Sequence, residues 1–238
     1  MTRTYQCSDP ADRTAGIAAA IDAVRRGDLI VMPTDTVYGI GADAFTPTAV
    51  DSLLTAKQRG RDMPVPVLVG NRRTLDGLVM AVPPAVHDLV DAFWPGPLTI
   101  VVEQAPTLAW DLGDADGTVA VRMPLHPVAL EVLEATGPMA VSSANVSGQP
   151  PATTAEAARD QLGWFVEVYL EAGSCGEPVA STIVDVTGEV PRVLRQGALD
   201  LATLRGVVPN ALDRDGNGPD DEPSAEDAVS TGSTAGDA

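Results

Sequence analysis

Short apolar runs recur along the chain, and several stop abruptly at a proline, a hydroxyl residue or an arginine. Leu29–Met32 is closed by Pro33, Thr118–Val121 by Arg122, and Met139–Val141 by the pair Ser142-Ser143. Runs of this length suit buried strands and fall far short of the roughly 18 residues a membrane helix needs. Between them lie stretches with helical spacing: Ile17, Ile21 and Val24 within 12–26, stopped by Gly27, and Val50, Leu53 and Leu54 within 48–56. Further helices are expected over 74–80, 84–93, 127–135 and 154–161. Strands are expected over 29–32, 65–69, 98–102, 118–121, 139–142, 166–170, 182–186 and 190–194. Strands alternating with helices predict an α/β fold, a single domain with a twisted, mixed open sheet and flanking helices. In such a sheet the polar residues that end the strands collect along one line, where a site can form.

Domain limits follow from composition. Apolar and turn signals continue without a linker from residue 12 to about 205, so 1–205 is expected as one domain. Residues 206–238 hold one basic and eight acidic residues, and from Asp213 onward Val229 is the only large apolar side chain. That stretch reads as an acidic, disordered tail. The N-terminus lacks the apolar core of a signal peptide. Two cysteines, Cys7 and Cys175, make no disulfide framework, and two histidines, His87 and His126, make a soft-metal site improbable. The expectation is a soluble cytoplasmic protein, with no membrane partner and no protein-bound metal.

Charge narrows the chemistry. The formal charge is −18, of which the tail supplies −7 and residues 1–205 the remaining −11. Such a field repels nucleic acid unless cations are segregated. They are segregated once: Lys57, Arg59, Arg61, Arg72 and Arg73 stand against Asp62 alone, and Lys57 is the only lysine in the chain. With Gly60 and Pro64 keeping the segment extended, Lys57, Arg59 and Arg61 would project to one side as a cradle for a polyanion; in helix they would form a solvated basic end. No G-x-x-x-x-G-K-[ST] occurs, so a P-loop is excluded.

Three other segments carry polar groups at strand ends. In Pro33–Gly41 an extended chain puts Thr34, Thr36 and Tyr38 on one face, lining a pocket or a plain surface edge. Gly39-x-Gly41-x-x-Ala44 matches a dinucleotide fingerprint only superficially, because Phe45-Thr46-Pro47 follows instead of a helix start. Val141–Gly148 leaves a strand with Ser143 and Asn145 two apart, as an anion- or ribose-binding loop or a capped turn. Arg122 directly follows an apolar strand, where a cation calls for a carboxylate or phosphate partner. Ser181 and Arg195 repeat the theme, while Trp94-Pro95-Gly96-Pro97 reads as a rigid turn. With no G-x-S-x-G and no supporting histidine, nucleophilic catalysis is unsupported. Hydroxyls, an amide and guanidiniums without a base suit a synthase that orients a nucleotide and a small amino acid.

Taken in order, PTDTVYGIGA, Lys57-x-Arg59, WPGPLT, VRMP-x-HP, SSANVSG, STIVDV and the terminal R-x-G resemble the YrdC-type family of threonylcarbamoyl-AMP synthases, from about residue 12 to 200. The resemblance implies a short-form member with a concave, basic cavity. It implies that ATP, L-threonine and bicarbonate give threonylcarbamoyl-AMP and pyrophosphate, the product passing to transferase proteins that modify an adenosine of tRNA. Lys57, Arg59, Ser143 and Asn145 match the positions that hold the nucleotide phosphates, and Thr118 and Arg195 match further ATP contacts. Thr36, Arg122, Ser181 and the Val141 backbone match threonine-binding positions, with Thr34 and Tyr38 close by. Lys57 and Arg59 would serve catalysis, with Mg2+ entering alongside ATP. Met63 and Leu68 depart from the family pattern. The alternatives are a double-stranded RNA-binding module and a paralogue that keeps the fold without the chemistry.

Overall fold

The structure is a computed structural model describing residues 2–175 and 179–221. Ten strands form one sheet: β1 (Arg3–Gln6), β2 (Leu29–Met32), β3 (Gly39–Asp43), β4 (Val67–Leu68), β5 (Leu98–Glu103), β6 (Thr118–Arg122), β7 (Met139–Ser143), β8 (Val166–Glu171), β9 (Thr182–Asp185) and β10 (Arg192–Arg195). Among the described residues seven α-helices accompany them: α1 (Pro10–Arg25), α2 (Pro47–Lys57), α3 (Leu75–Leu78), α4 (Pro84–Phe93), α5 (Pro127–Thr136), α6 (Ala155–Leu162) and α7 (Leu201–Arg205). The strand order is β1-β8-β2-β3-β7-β4-β6-β5-β9-β10. Pairings are mixed: β4/β6 and β5/β9 run parallel, while β3/β7, β4/β7 and β5/β6 run antiparallel. The expected α/β class and mixed sheet are therefore present.

The β2 run shows why its residues form a central strand. Its four side chains are all buried, Leu29 and Val31 against one apolar cluster and Ile30 and Met32 against the other. A period of two thus feeds both faces. One face is covered by α1 and α5 through Ile17, Ala20, Val24, Val128 and Val132. The other is covered by α2, α4 and α6, with Val50, Leu53, Val86, Leu89 and Ala158. No helix among the described residues is long and apolar enough to cross a membrane.

Several expectations need correction. Only Val67 and Leu68 of the 65–69 run pair as strand, and 74–80 reduces to a short turn at 72–74 followed by α3. The glycine-rich segment 39–43, read as loop, is β3, flanked by β2 and β7. Glycine disfavours strand in isolation, but here the close approach of β7 requires it. A Cβ at Gly39 would meet Val141 Cγ1 at 2.7 Å, and one at Gly41 would meet Met139 Cε at 2.8 Å. The polar edge strand β1 and the short α7 carry no periodic signal and went unread. The tail expected to begin at 206 begins later. Val208 and Ala211 are buried in the core, and Leu212 bridges to Arg192. Residues 222–238, which hold the rest of the expected tail, lie outside the described residues.

Candidate active site

β6 delivers Arg122 at its end, beside the 33–38 loop that connects β2 to β3. The guanidinium is 6% exposed and makes three bonds within the chain. Nε donates to Gly96 O at 2.9 Å, Nη1 to Thr36 Oγ1 at 3.0 Å and Nη2 to Asp35 Oδ1 at 2.6 Å. The carboxylate that the position calls for is therefore Asp35, 87 residues away in sequence, which the sequence analysis did not single out. Two of the five N–H groups of Arg122 remain for a ligand. Gly96 belongs to the Trp94–Pro97 turn, so this turn also aims a carbonyl at the arginine, beyond its expected structural role.

Thr34 and Thr36 come together as expected. Thr34 Oγ1 donates to Val37 O at 2.6 Å and lies 3.1 Å from Thr36 Oγ1, so the hydroxyls form a chain running back to Arg122. Tyr38 does not join them. Its hydroxyl reaches Gly173 O at 2.7 Å and accepts from Ala172 N at 2.9 Å, tethering the end of β8. Strict alternation along an extended segment fails here because the 33–38 loop turns before β3 begins.

A second group of the expected residues gathers at the end of α2. Gln58 takes a left-handed conformation with φ 51°, closing the helix at Lys57. Lys57 is 2% exposed, and its Nζ donates to the carbonyls of Ser143 and Asn145. Arg59 donates to Met63 O at 2.7 Å, Pro64 O at 2.9 Å and Ser142 Oγ at 3.2 Å. Ser142 was passed over in favour of Ser143. Asn145 gives its amide to Val146 O and Gln149 O, while its buried Oδ1 has no partner. Arg61 leaves the expected three-cation cradle: it pairs with Asp51, Asp111 and Asp114 on the surface. The left-handed residue turns the chain, so the extended register that would align all three cations never forms.

Arg195, at the end of β10, completes the cation set. It donates to Ser181 O at 2.8 Å and Ser181 Oγ at 3.1 Å, and Ser181 Oγ lies 2.8 Å from Thr99 Oγ1. Arg195 is near enough to Arg59 and Arg122 to lower the affinity of each for its proton, after burial, the larger cause. Among the described residues neither Arg59, Arg195 nor Lys57 has a carboxylate within ion-pair distance. Thr118 stands at the opposite end of β6 from Arg122, its hydroxyl bonded to Ala115 O at 2.7 Å. The Val141 N–H donates to Pro66 O at 2.8 Å and is not free for a ligand. Met63 is exposed and Leu68 buried.

Burial, with Arg59 as the lesser cause, pushes the Lys57 ammonium down from 10.5 to about 8. Between those values the unfolded chain binds the extra proton, so stability rises with pH. Cys7, pushed up by burial from 9.0 to about 11, opposes this above pH 9. Denaturant midpoints are therefore expected to climb from pH 8 to 9 in the native chain and to stay flat in Lys57→Met.

The donor set of the site is ammonium, guanidinium, hydroxyl and carbonyl, and no described group of three or more His, Cys, Asp or Glu could hold a metal. Among the described residues that donor set offers a resident Mg2+ no cluster of carboxylates.

The family model Sua5_yciO_yrdC, described as "Telomere recombination", matches residues 22–197. A Mycobacterium tuberculosis relative, provisionally named a threonylcarbamoyl-AMP synthase, is 59% identical over 208 residues, 87% of this chain and 96% of its own length. The threonylcarbamoyl-AMP synthase of Pyrococcus abyssi is 35% identical over 193 residues, 81% of this chain and 57% of that protein. The solved structure of P. abyssi Sua5 complexed with L-threonine superposes with a TM-score of 0.80 at 32% identity, covering 87% of this chain and 61% of that one. Sequence, fold and site agree: the chain belongs to the Sua5/YciO/YrdC family.

Proposed function

We infer that this chain is a threonylcarbamoyl-AMP synthase, joining ATP, L-threonine and bicarbonate into threonylcarbamoyl-AMP with release of pyrophosphate and water. The observation that carries the reading is the set Lys57, Arg59 and Arg195, cations with no ion pair among the described residues, beside the neutralised pair Arg122–Asp35. The first set suits a triphosphate and the second an amino acid. The relatives named for this activity, and the P. abyssi structure holding L-threonine, support it.

In this reading the two free N–H groups of Arg122 take the threonine carboxylate, while Thr36 and Ser181 orient its other groups. The threonine amine takes up the carbon of bicarbonate with loss of water. The resulting carbamate oxygen forms a bond to the α-phosphorus as the bond to the β-phosphate bridging oxygen breaks, and pyrophosphate leaves with the electron pair. Lys57, Arg59 and Arg195 stabilise the charge that gathers on the phosphates, and Ser143 and Asn145, through its unpartnered Oδ1, complete the nucleotide contacts. Mg2+ arrives bound to ATP. In this reading the product supplies transferase proteins that modify adenosine in tRNA, and the protein works in the cytoplasm.

Pyrophosphate release by the purified chain is expected to require ATP, Mg2+, L-threonine and bicarbonate together, without tRNA. Serine is expected to be a poorer substrate, since the missing methyl removes about 1 kcal/mol of apolar contact. Release that needs no threonine would instead indicate a nucleotide hydrolase, and tight RNA binding without release would indicate an RNA-binding module.

A further inference from the structure

Asp35 is the one carboxylate among the described residues that pairs with a cation of the site. Its Oδ1 accepts from Arg122 Nη2 at 2.6 Å and from Leu125 N at 2.9 Å, while Oδ2 is buried and has no partner in the chain. A buried carboxylate oxygen without a donor costs stability, and such a group calls for a reason beyond packing. Packing alone offers none. The other two acceptors on Arg122, Gly96 O and Thr36 Oγ1, would hold the guanidinium in place without any charge.

The reason lies in the neighbouring half of the site. Among the described residues Arg59 and Arg195 have no carboxylate within ion-pair distance, Asp62 acting on Arg59 only from farther away, and Arg195 interacts with both Arg59 and Arg122. A bare Arg122 would extend that field into the amino-acid half. A triphosphate or pyrophosphate carries several negative charges against one on the threonine carboxylate, and Coulomb attraction would favour the wrong ligand there. Among the described residues Asp35 is the only carboxylate in an ion pair with Arg122, and His126 beside it can supply no negative charge in either protonation state.

We propose that Asp35 is a specificity-determining positioning residue that acts through Arg122, cancelling its charge so that the amino-acid half accepts a zwitterion and excludes phosphate. Arg122 is then a directional donor pair more than a net charge. A fork of N–H groups still reads a carboxylate, while the local field no longer draws a polyanion. The inference rests on the synthase reading, in that Arg122 is taken to receive the threonine carboxylate.

The test is an equilibrium titration of the full chain with L-threonine, in the presence and absence of inorganic pyrophosphate, followed by calorimetry. In the native chain pyrophosphate is expected to weaken ATP binding and leave threonine binding unchanged. Asp35→Asn keeps the size and the Oδ1 acceptor but not the charge. In that variant pyrophosphate is expected to weaken threonine binding roughly tenfold, the scale of one charge-assisted contact. A merely structural role for Asp35 would lower the melting temperature without creating this competition. Displacement of threonine by pyrophosphate in the native chain overturns the inference on its own, whatever the variants do. So does a folded Asp35→Asn in which threonine remains indifferent to pyrophosphate. A native chain that binds no threonine at all overturns the synthase reading and this inference with it.

Discussion

Arg122→Ala is expected to lose about 3–5 kcal/mol of stability, because it strands the buried Asp35 carboxylate without its cation. For a domain of this size that corresponds to a fall in melting temperature of roughly 10 °C. The cause is visible in the geometry: Arg122 and Asp35 have side chains only 7% and 12% exposed, and Asp35 Oδ2 already lacks a partner. Removing the guanidinium also frees Gly96 O and the Thr34–Thr36 hydroxyl chain. The companion variant Asp35→Ala/Arg122→Ala removes the stranded charge and should recover part of the loss. Thermal unfolding of the two variants decides it. A double variant no more stable than Arg122→Ala would show that the damage comes from lost packing and not from the unpaired carboxylate. Arg122→Lys retains a charge but not the fork, so it should weaken threonine far more than ATP.

Lys57→Met is expected to reduce synthesis by roughly 10- to 100-fold, the effect of losing one charged contact to the phosphates. Methionine keeps the stem volume, which matters because Lys57 is 2% exposed. A change in melting temperature accompanies the loss, since Nζ also holds the Ser143 and Asn145 carbonyls and thereby sets the 143–145 loop. The effect on ATP is expected in both kcat and KM, because in the proposed reading the lysine contacts the phosphates and it also holds the Asn145 carbonyl. A variant that turns over normally would remove Lys57 from the site. Measuring pyrophosphate release across ATP and threonine concentrations separates the two substrates.

Much of this site was legible from residue types at strand ends. An arginine closing the apolar run 118–121 had to be met by an anion, and it is met by Asp35. The solitary lysine among cations does meet the 143–145 loop that was read beside it. The misreadings share a cause. Tyr38 was placed with Thr34 and Thr36 by alternation, yet its hydroxyl serves the 172–173 backbone. Arg61 was placed with Lys57 and Arg59 by extension, yet a left-handed Gln58 turns it to the surface acids. Local periodicity assumes a regular chain, and both segments break it.

Sequence alone determined the α/β class, most strand and helix positions, and the residue types of the site, because burial periodicity and turn chemistry act within a few residues. The motifs also carried the family. Tertiary structure alone decided which groups meet. It made the segment 39–43 a strand, with Gly39 and Gly41 leaving room for the Val141 and Met139 side chains of β7. It carried the core past 205 to Val208 and Ala211. It paired Asp35 with Arg122 across 87 residues while leaving Arg59 and Arg195 without an ion pair among the described residues. A charge's partner is set by which strand ends the sheet brings together, and no spacing along the chain encodes that.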